Sequence, residues 1–118
     1  MSLETDLLAI DKALWTGGPE AYRRHCDEQC LVVFTGMAGV MAREEIAKTA
    51  EEGRWTKVAL EPKGFVRLDE DACTIAYECH AVRKDGKPHA ALVTSDYVKR
   101  ADGWKLASHH QTEIPQKS

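Results

Sequence analysis

The sequence predicts an α+β fold. Three observations carry that expectation: apolar residues recur at helical spacing through the first half, strand-like segments punctuated by turn signals fill the second, and no repeat, linker or low-complexity tract divides them. With 118 residues, 43% apolar and 30% charged, the chain reads as one globular domain over 1–118 that buries a single core and encloses one pocket.

The elements follow in chain order. Leu3, Leu7, Ile10 and Leu14 form a helical stripe that Trp15 extends, and Gly17-Gly18 ends it. Pro19 suits the first turn of a second helix over Pro19–Gln29, where its missing N–H would have no partner. Cys30 to Phe34 is a continuous apolar run rich in β-branched residues, as a buried strand requires. Met37 to Met41 then turns the chain into a third helix over Ala42–Gly53, acidic at its start, where the dipole favours negative charge, and stopped by glycine. Strands are expected at Trp55–Pro62, Gly64–Leu68, Ala72–Lys84, Lys87–Arg100 and Trp104–Ile114.

Two turns set the register of the last three strands. Asp85-Gly86 matches the favoured two-residue hairpin loop, which places Lys84 opposite Lys87, Ala76 opposite Ser95 and Glu78 opposite Val93. Ala101-Asp102-Gly103 matches the three-residue loop with a left-handed last position, which places Arg100 opposite Trp104, Ser95 opposite His109 and Val93 opposite Gln111. Because side chains alternate along a strand, the neighbours His109 and His110 point to opposite faces. One face then carries Ile75, Tyr77, Cys79, Leu92, Thr94, Asp96, Val98, Trp104, Leu106, Ser108 and His110, and is bulky and mostly apolar. The other carries Ala76, Glu78, His80, Ala91, Val93, Ser95, Tyr97, Ala107, His109 and Gln111.

That second face mixes alanines, which leave volume, with converging polar groups, the composition of a ligand pocket. A carboxyl and an imidazole in one apolar cavity are able to divide general acid and base roles, which makes Glu78 and His109 the candidate catalytic pair. Tyr97 or Ser95 would hold a substrate oxygen, Gln111 would add a polar contact, and Trp15, Tyr22, Phe34, Met37 and Trp55 would form apolar walls. The chemistry is proton transfer next to a carbonyl, or loss or addition of water, on a small and mostly apolar molecule. The plainer reading has His109 bonded to Ser95 across the ladder and Glu78 paired with a cation. If the faces are exchanged, Asp96 beside Tyr97 becomes the candidate base. A non-catalytic homodimeric binding or association module is the alternative function, because Leu92, Trp104, Leu106 and His110 on the outer face would leave a costly apolar patch on a monomer.

A net charge of −3, with basic clusters no larger than YRRH and VKR, gives no electrostatic footprint for nucleic acid or an anionic membrane. No run approaches the roughly 18 apolar residues of a membrane span, and the first residues carry acids where a signal peptide carries basic ones, so a cytoplasmic location is expected. Cys26, Cys30, Cys73 and Cys79 miss the CxxC zinc spacing and read as reduced packing residues. A metal set of His80, His109 and Glu78 matches no established ligand spacing, so neither metal nor cofactor is expected.

Three stretches, ALWTGGPEAYRRH, VVFTGMAGVMAREEI and SDYVKRADGWKLASHHQTEIP, resemble the nuclear transport factor 2-like superfamily, in particular its SnoaL-like bacterial branch. The likeness covers nearly the whole chain. It implies a cone-shaped α+β fold in which three N-terminal helices pack on a long curved antiparallel sheet around a pocket, with homodimers formed through the sheet. It implies no single activity, since this fold carries isomerases, dehydratases, cyclases, hydrolases and association modules. Relatives often end in HQQTP where this chain has HHQTE, so His109 matches their histidine while His110 and Glu113 depart from the pattern. The last hairpin and strand are also similar to the association domain of calmodulin-dependent kinases, which carries pocket arginines at the positions matching Glu78, Ser95 and Gln111. None is arginine here, so a carboxylate preference is not implied, and Glu78 favours a neutral or cationic ligand. Steroid isomerases of the fold use a carboxylate base with a tyrosine and an acidic donor, a constellation without a residue-by-residue match here.

Overall fold

The computed structural model describes residues 2–116. Helix α1 spans Leu3–Thr16, and the Ser2 hydroxyl caps it by accepting the Thr5 N–H at 3.1 Å. Helix α2, Pro19–His25, stops short of the expected Gln29. Strand β1 takes over at Cys26 and runs to Phe34, because Cys26 and Cys30 are both wholly buried and the extended chain pairs in parallel with the last strand. The segment expected as a turn is instead strand β2, Met37–Ala42, in an antiparallel hairpin with β1 closed by the pair Phe34 and Met37. Helix α3 is Arg43–Thr49; the Glu45 carboxylate accepts the Ala42 N–H at 3.0 Å, and the helix ends before Gly53.

One strand, β3 at Trp55–Asp69, stands where two were expected. It absorbs Pro62 at a bulge between Pro62 and Gly64, which is possible because β3 is an edge strand and the missing N–H breaks no interior ladder. Strands β4 (Ala72–Arg83), β5 (Pro88–Arg100) and β6 (Gly103–Glu113) complete a six-stranded sheet ordered β2-β1-β6-β5-β4-β3. The core lies between the helices and the inner sheet face, where Leu7, Leu14 and Ile46 meet Val32, Ile75, Tyr77, Val93 and Leu106. No helix among the described residues is long and apolar enough to cross a membrane.

The β4–β5 register differs by one residue from the expected one. Arg83 N–H donates to the Lys87 carbonyl at 2.9 Å and Gly86 N–H to the Arg83 carbonyl at 2.8 Å, so the loop is Lys84-Asp85-Gly86 with Gly86 left-handed at φ 89°. Ser95 therefore faces Ile75 rather than Ala76, and Val93 faces Tyr77 rather than Glu78. A one-residue slip turns every side chain to the other side. Ile75, Tyr77 and Cys79 thus belong to the inner face, and Ala76, Glu78 and His80 to the outer one.

At the β5–β6 turn two departures cancel. The loop is tighter than expected, pairing Arg100 with Gly103 and Lys99 with Trp104, but Ala107 is the extra residue of a bulge between the pairs Tyr97–Leu106 and Asp96–Ser108. Beyond it Ser95 faces His109 and Val93 faces Gln111, as expected. Before it, Leu106 moves inward and is 2% exposed, so it is no part of an outer interface. Trp104 is likewise half-buried against the core, with the Arg67 guanidinium 5.6 Å from its ring, and does not form an open outer patch.

Gly86 is the residue on which the β4–β5 offset turns. A Cβ there would meet nothing within 4 Å, so Gly86→Ala is expected to cost only the left-handed backbone penalty, about 1–2 kcal/mol. Urea unfolding measures this, and an unchanged midpoint would show that the loop relaxes to another turn without loss.

Candidate functional site

A cavity of about 390 Å³ lies between the helices and the inner face of the sheet. Trp15, Tyr22, Phe34, Trp55, His109 and Gln111 line it. Met37 does not: it is 45% exposed at the tip of the β1–β2 hairpin, and Met41, of the same strand parity but nearer α3, takes the place assigned to it.

The residue that organises the cavity was not singled out from the sequence. Asp11, on α1, is 1% exposed. One carboxylate oxygen accepts the Tyr97 hydroxyl; the other accepts Tyr77 and, at 3.0 Å, Ser95. The Trp15 indole N–H donates to the Tyr77 hydroxyl at 2.9 Å, so the donors form a chain reaching the cavity wall. Among the described residues no cation lies within ion-pair distance of Asp11. Burial first, and then the Asp11 charge, raise the Tyr77 and Tyr97 pKa values, which keeps both phenols protonated as donors. Tyr97, expected as a substrate contact, is therefore committed to Asp11 and wholly buried.

His109 is joined to this centre through Ser95. Its Nδ1 lies 2.9 Å from the Ser95 hydroxyl and its Nε2 2.9 Å from the Gln111 amide nitrogen. The Ser95 proton is used on Asp11, so Ser95 accepts from His109 Nδ1–H, and the lone pair on Nε2 accepts from Gln111. Burial lowers the His109 pKa; the Asp11 charge opposes that shift and His110 adds slightly to it. The result is a neutral imidazole that lines an aromatic cavity, with the Phe34 ring centre 5.9 Å and the Trp15 ring centre 6.5 Å from its own.

Glu78 is not in this cavity. It bonds His80 on the outer face, half-buried and pointing away from His109, because of the one-residue change in hairpin register. The catalytic pair of Glu78 and His109 does not form, and the metal set of His80, His109 and Glu78 is split between faces. Asp96 stands outside as its parity requires and accepts the Ser108 hydroxyl. His110 is exposed beside Leu92 and Thr94.

The rim was also unforeseen. Arg54 and Glu51, from the loop after α3, line the opening with Arg83 at the end of β4 and His89 at the start of β5. The Trp55 ring centre lies 5.0 Å from His89 and 5.2 Å from the Arg83 guanidinium carbon.

No protein-family model and no curated protein matches the sequence. Solved structures match over nearly the full chain. A nuclear transport factor 2-like protein of unknown function from Prochlorococcus marinus has a TM-score of 0.78 at 16% identity, over 99% of this chain and 97% of that one. A ketosteroid isomerase-like protein from Erwinia carotovora atroseptica has a TM-score of 0.70 at 21% identity, over 97% and 95%. The association domain of C. elegans CaMKII has a TM-score of 0.65 at 14% identity, over 92% and 90%. At these identities the likeness is one of fold, and the chain has the nuclear transport factor 2-like α+β fold that its sequence resembles.

Proposed function

We propose that the cavity binds a small, largely apolar molecule carrying a carbonyl group, and that His109 acts on it as a general base. The observation that carries this reading is the hydrogen-bond pattern at His109: Ser95 donates to Asp11 and so accepts the Nδ1 proton, which leaves Nε2 as the basic atom of a ring that lines the aromatic cavity. A proton taken from the carbon next to the carbonyl goes to Nε2, and the C–H electron pair moves into the enolate. The imidazolium that forms is stabilised through Ser95 by the Asp11 charge. Gln111, displaced from Nε2 by substrate, is left with an N–H to donate to the enolate oxygen. Return of the proton to another carbon gives isomerisation, and loss of a β-hydroxyl gives dehydration.

Deuterium uptake by 4-phenyl-2-butanone in heavy water, followed by NMR, tests the base directly. The protein is expected to accelerate exchange next to the carbonyl, and His109→Gln to lose about a hundredfold or more of that acceleration. His109 must be neutral to act and burial holds its pKa below the ordinary 6.5, so the rate rises with pH through a midpoint under 6.5 and is level above it. Asp11→Asn keeps the shape but removes the charge that stabilises the imidazolium; it is expected to slow exchange and, by leaving one buried hydroxyl poorly paired, to destabilise the fold by about 1–3 kcal/mol. Exchange no faster with the protein than with His109→Gln would remove the catalytic role.

A second reading, a homodimeric association module without turnover, is favoured by the outer sheet face, where Val66 and Leu92 are 55% and 48% exposed. Sedimentation at micromolar concentration is expected to give a dimer that Leu92→Asp converts to monomer. A wild-type monomer contradicts this reading and leaves the cavity chemistry untouched.

A further inference from the structure

The rim of the cavity carries charge that the chemistry proposed at His109 does not use. Arg54 is held in place: its guanidinium donates to the Thr49 carbonyl at 2.9 Å, and its Nε lies 3.9 Å from Glu51. Glu51 is itself taken by Lys84 at 2.6 Å. Arg83 has no carboxylate within 4.0 Å among the described residues, and lies over Trp55 at the opening. Beside it the Nε2 atom of His89 is buried without a hydrogen-bond partner among the described residues. The rest of the His89 ring lines the cavity, while that nitrogen is closed off from it and offers a ligand no contact. The remaining acid nearby is Glu113, exposed at the end of β6, whose charge reaches His89.

The two polar ends of the cavity are of opposite sign. Asp11 places a negative charge behind His109, and a second carboxylate at that end would be repelled. The rim offers the Arg83 guanidinium, which has no carboxylate partner among the described residues. The Trp15 ring lies 6.5 Å from His109 and 6.0 Å from His89, and Trp55 meets it edge-on at 5.2 Å, so one aromatic wall connects the ends. Glu78, from which a neutral or cationic ligand was expected, lies outside the cavity and has no part in this balance.

We infer that the ligand is an organic anion: a small carboxylate with an apolar or aromatic body, its body against Trp15 and Trp55 and its carboxylate outward on Arg83. This rests on the small-molecule reading of the cavity and names the class of molecule that it takes. A guanidinium and a carboxylate make charge-assisted hydrogen bonds roughly twice as strong as neutral ones, so terminal charge, rather than body shape, separates good ligands from poor ones.

The probes 4-phenylbutyrate, 4-phenylbutanamide and 4-phenylbutylamine share one body and differ in terminal charge. Calorimetric titration of the whole chain, with the indole N–H resonances of Trp15 and Trp55 reporting where each probe sits, is expected to rank carboxylate over amide over amine. The carboxylate should lead the amide by about tenfold. Arg83→Gln is expected to erase that lead and leave the amide unchanged, while Glu113→Gln keeps the order and strengthens the carboxylate. Equal binding of carboxylate and amide, or tightest binding of the amine, overturns the anion assignment and leaves the small-molecule site standing. Failure of all three probes to bind the folded wild-type protein removes the small-molecule reading itself, and the anion assignment with it.

Discussion

A carboxylate sealed into the core, with no cation in ion-pair distance among the described residues, constrains everything around it. Taking an ion out of water costs several kcal/mol even after relaxation. Among the described residues Asp11 meets that cost with hydroxyl groups, from Tyr77 on β4 and from Ser95 and Tyr97 on β5. Those donors stand on adjacent strands and have to project from one face. The carboxylate therefore selects a single β4–β5 register, since a slip of one residue would turn Tyr77 outward and leave a buried charge short of a donor. It also ties α1 across the sheet at the point where the cavity begins. Apolar packing between helix and sheet tolerates sliding, and this cluster does not.

The same cluster explains which parts of the molecule could be read from the sequence. Periodicity was enough for α1, for the strand character of the second half, and for the opposition of His109 and His110. The pairing of Ser95 with His109 came out right through a tighter turn and a bulge at Ala107 that offset one another. The β4–β5 hairpin failed for a chemical reason: Asp-Gly suits both a two-residue loop and the end of a three-residue loop with left-handed glycine. Only the inner face distinguishes them, because the observed offset brings Tyr77 to Asp11. That one offset put Glu78 in the wrong place. Asp11 itself was visible as a charged residue four after Leu7 and three before Leu14, on the buried stripe of α1. An ionised side chain there asks for partners, and tyrosines on the strands were available to supply them. The rim had no such signal, since Arg54, Arg83 and His89 come from a loop and two strand ends without shared periodicity.

Placing the charge behind the histidine, rather than beside it, has consequences for binding and for turnover alike. Ser95 separates the Asp11 carboxylate from the imidazole, so His109 is oriented and polarised without forming an ion pair, and burial keeps it neutral. A neutral imidazole in an apolar cavity admits a neutral portion of a ligand at low desolvation cost. In the proposed proton transfer, the charge it would acquire is met by a dipole and a carboxylate already in position, so the favourable interaction would grow along the reaction.

If His109 acts as the proposed base, Gln111 decides whether that capacity is used. Its amide nitrogen lies 2.9 Å from Nε2 and occupies the basic atom of His109. A ligand that lies along the aromatic wall without displacing the amide leaves His109 satisfied and nothing to transfer, which is the behaviour of a binding module. A ligand whose carbonyl oxygen takes the Gln111 N–H frees Nε2 at the moment its own C–H arrives, coupling oxygen recognition to release of the base. On the proposed reading, the choice between binding and turnover then reduces to which acceptor the Gln111 amide prefers: the imidazole within the protein or the oxygen of the bound molecule.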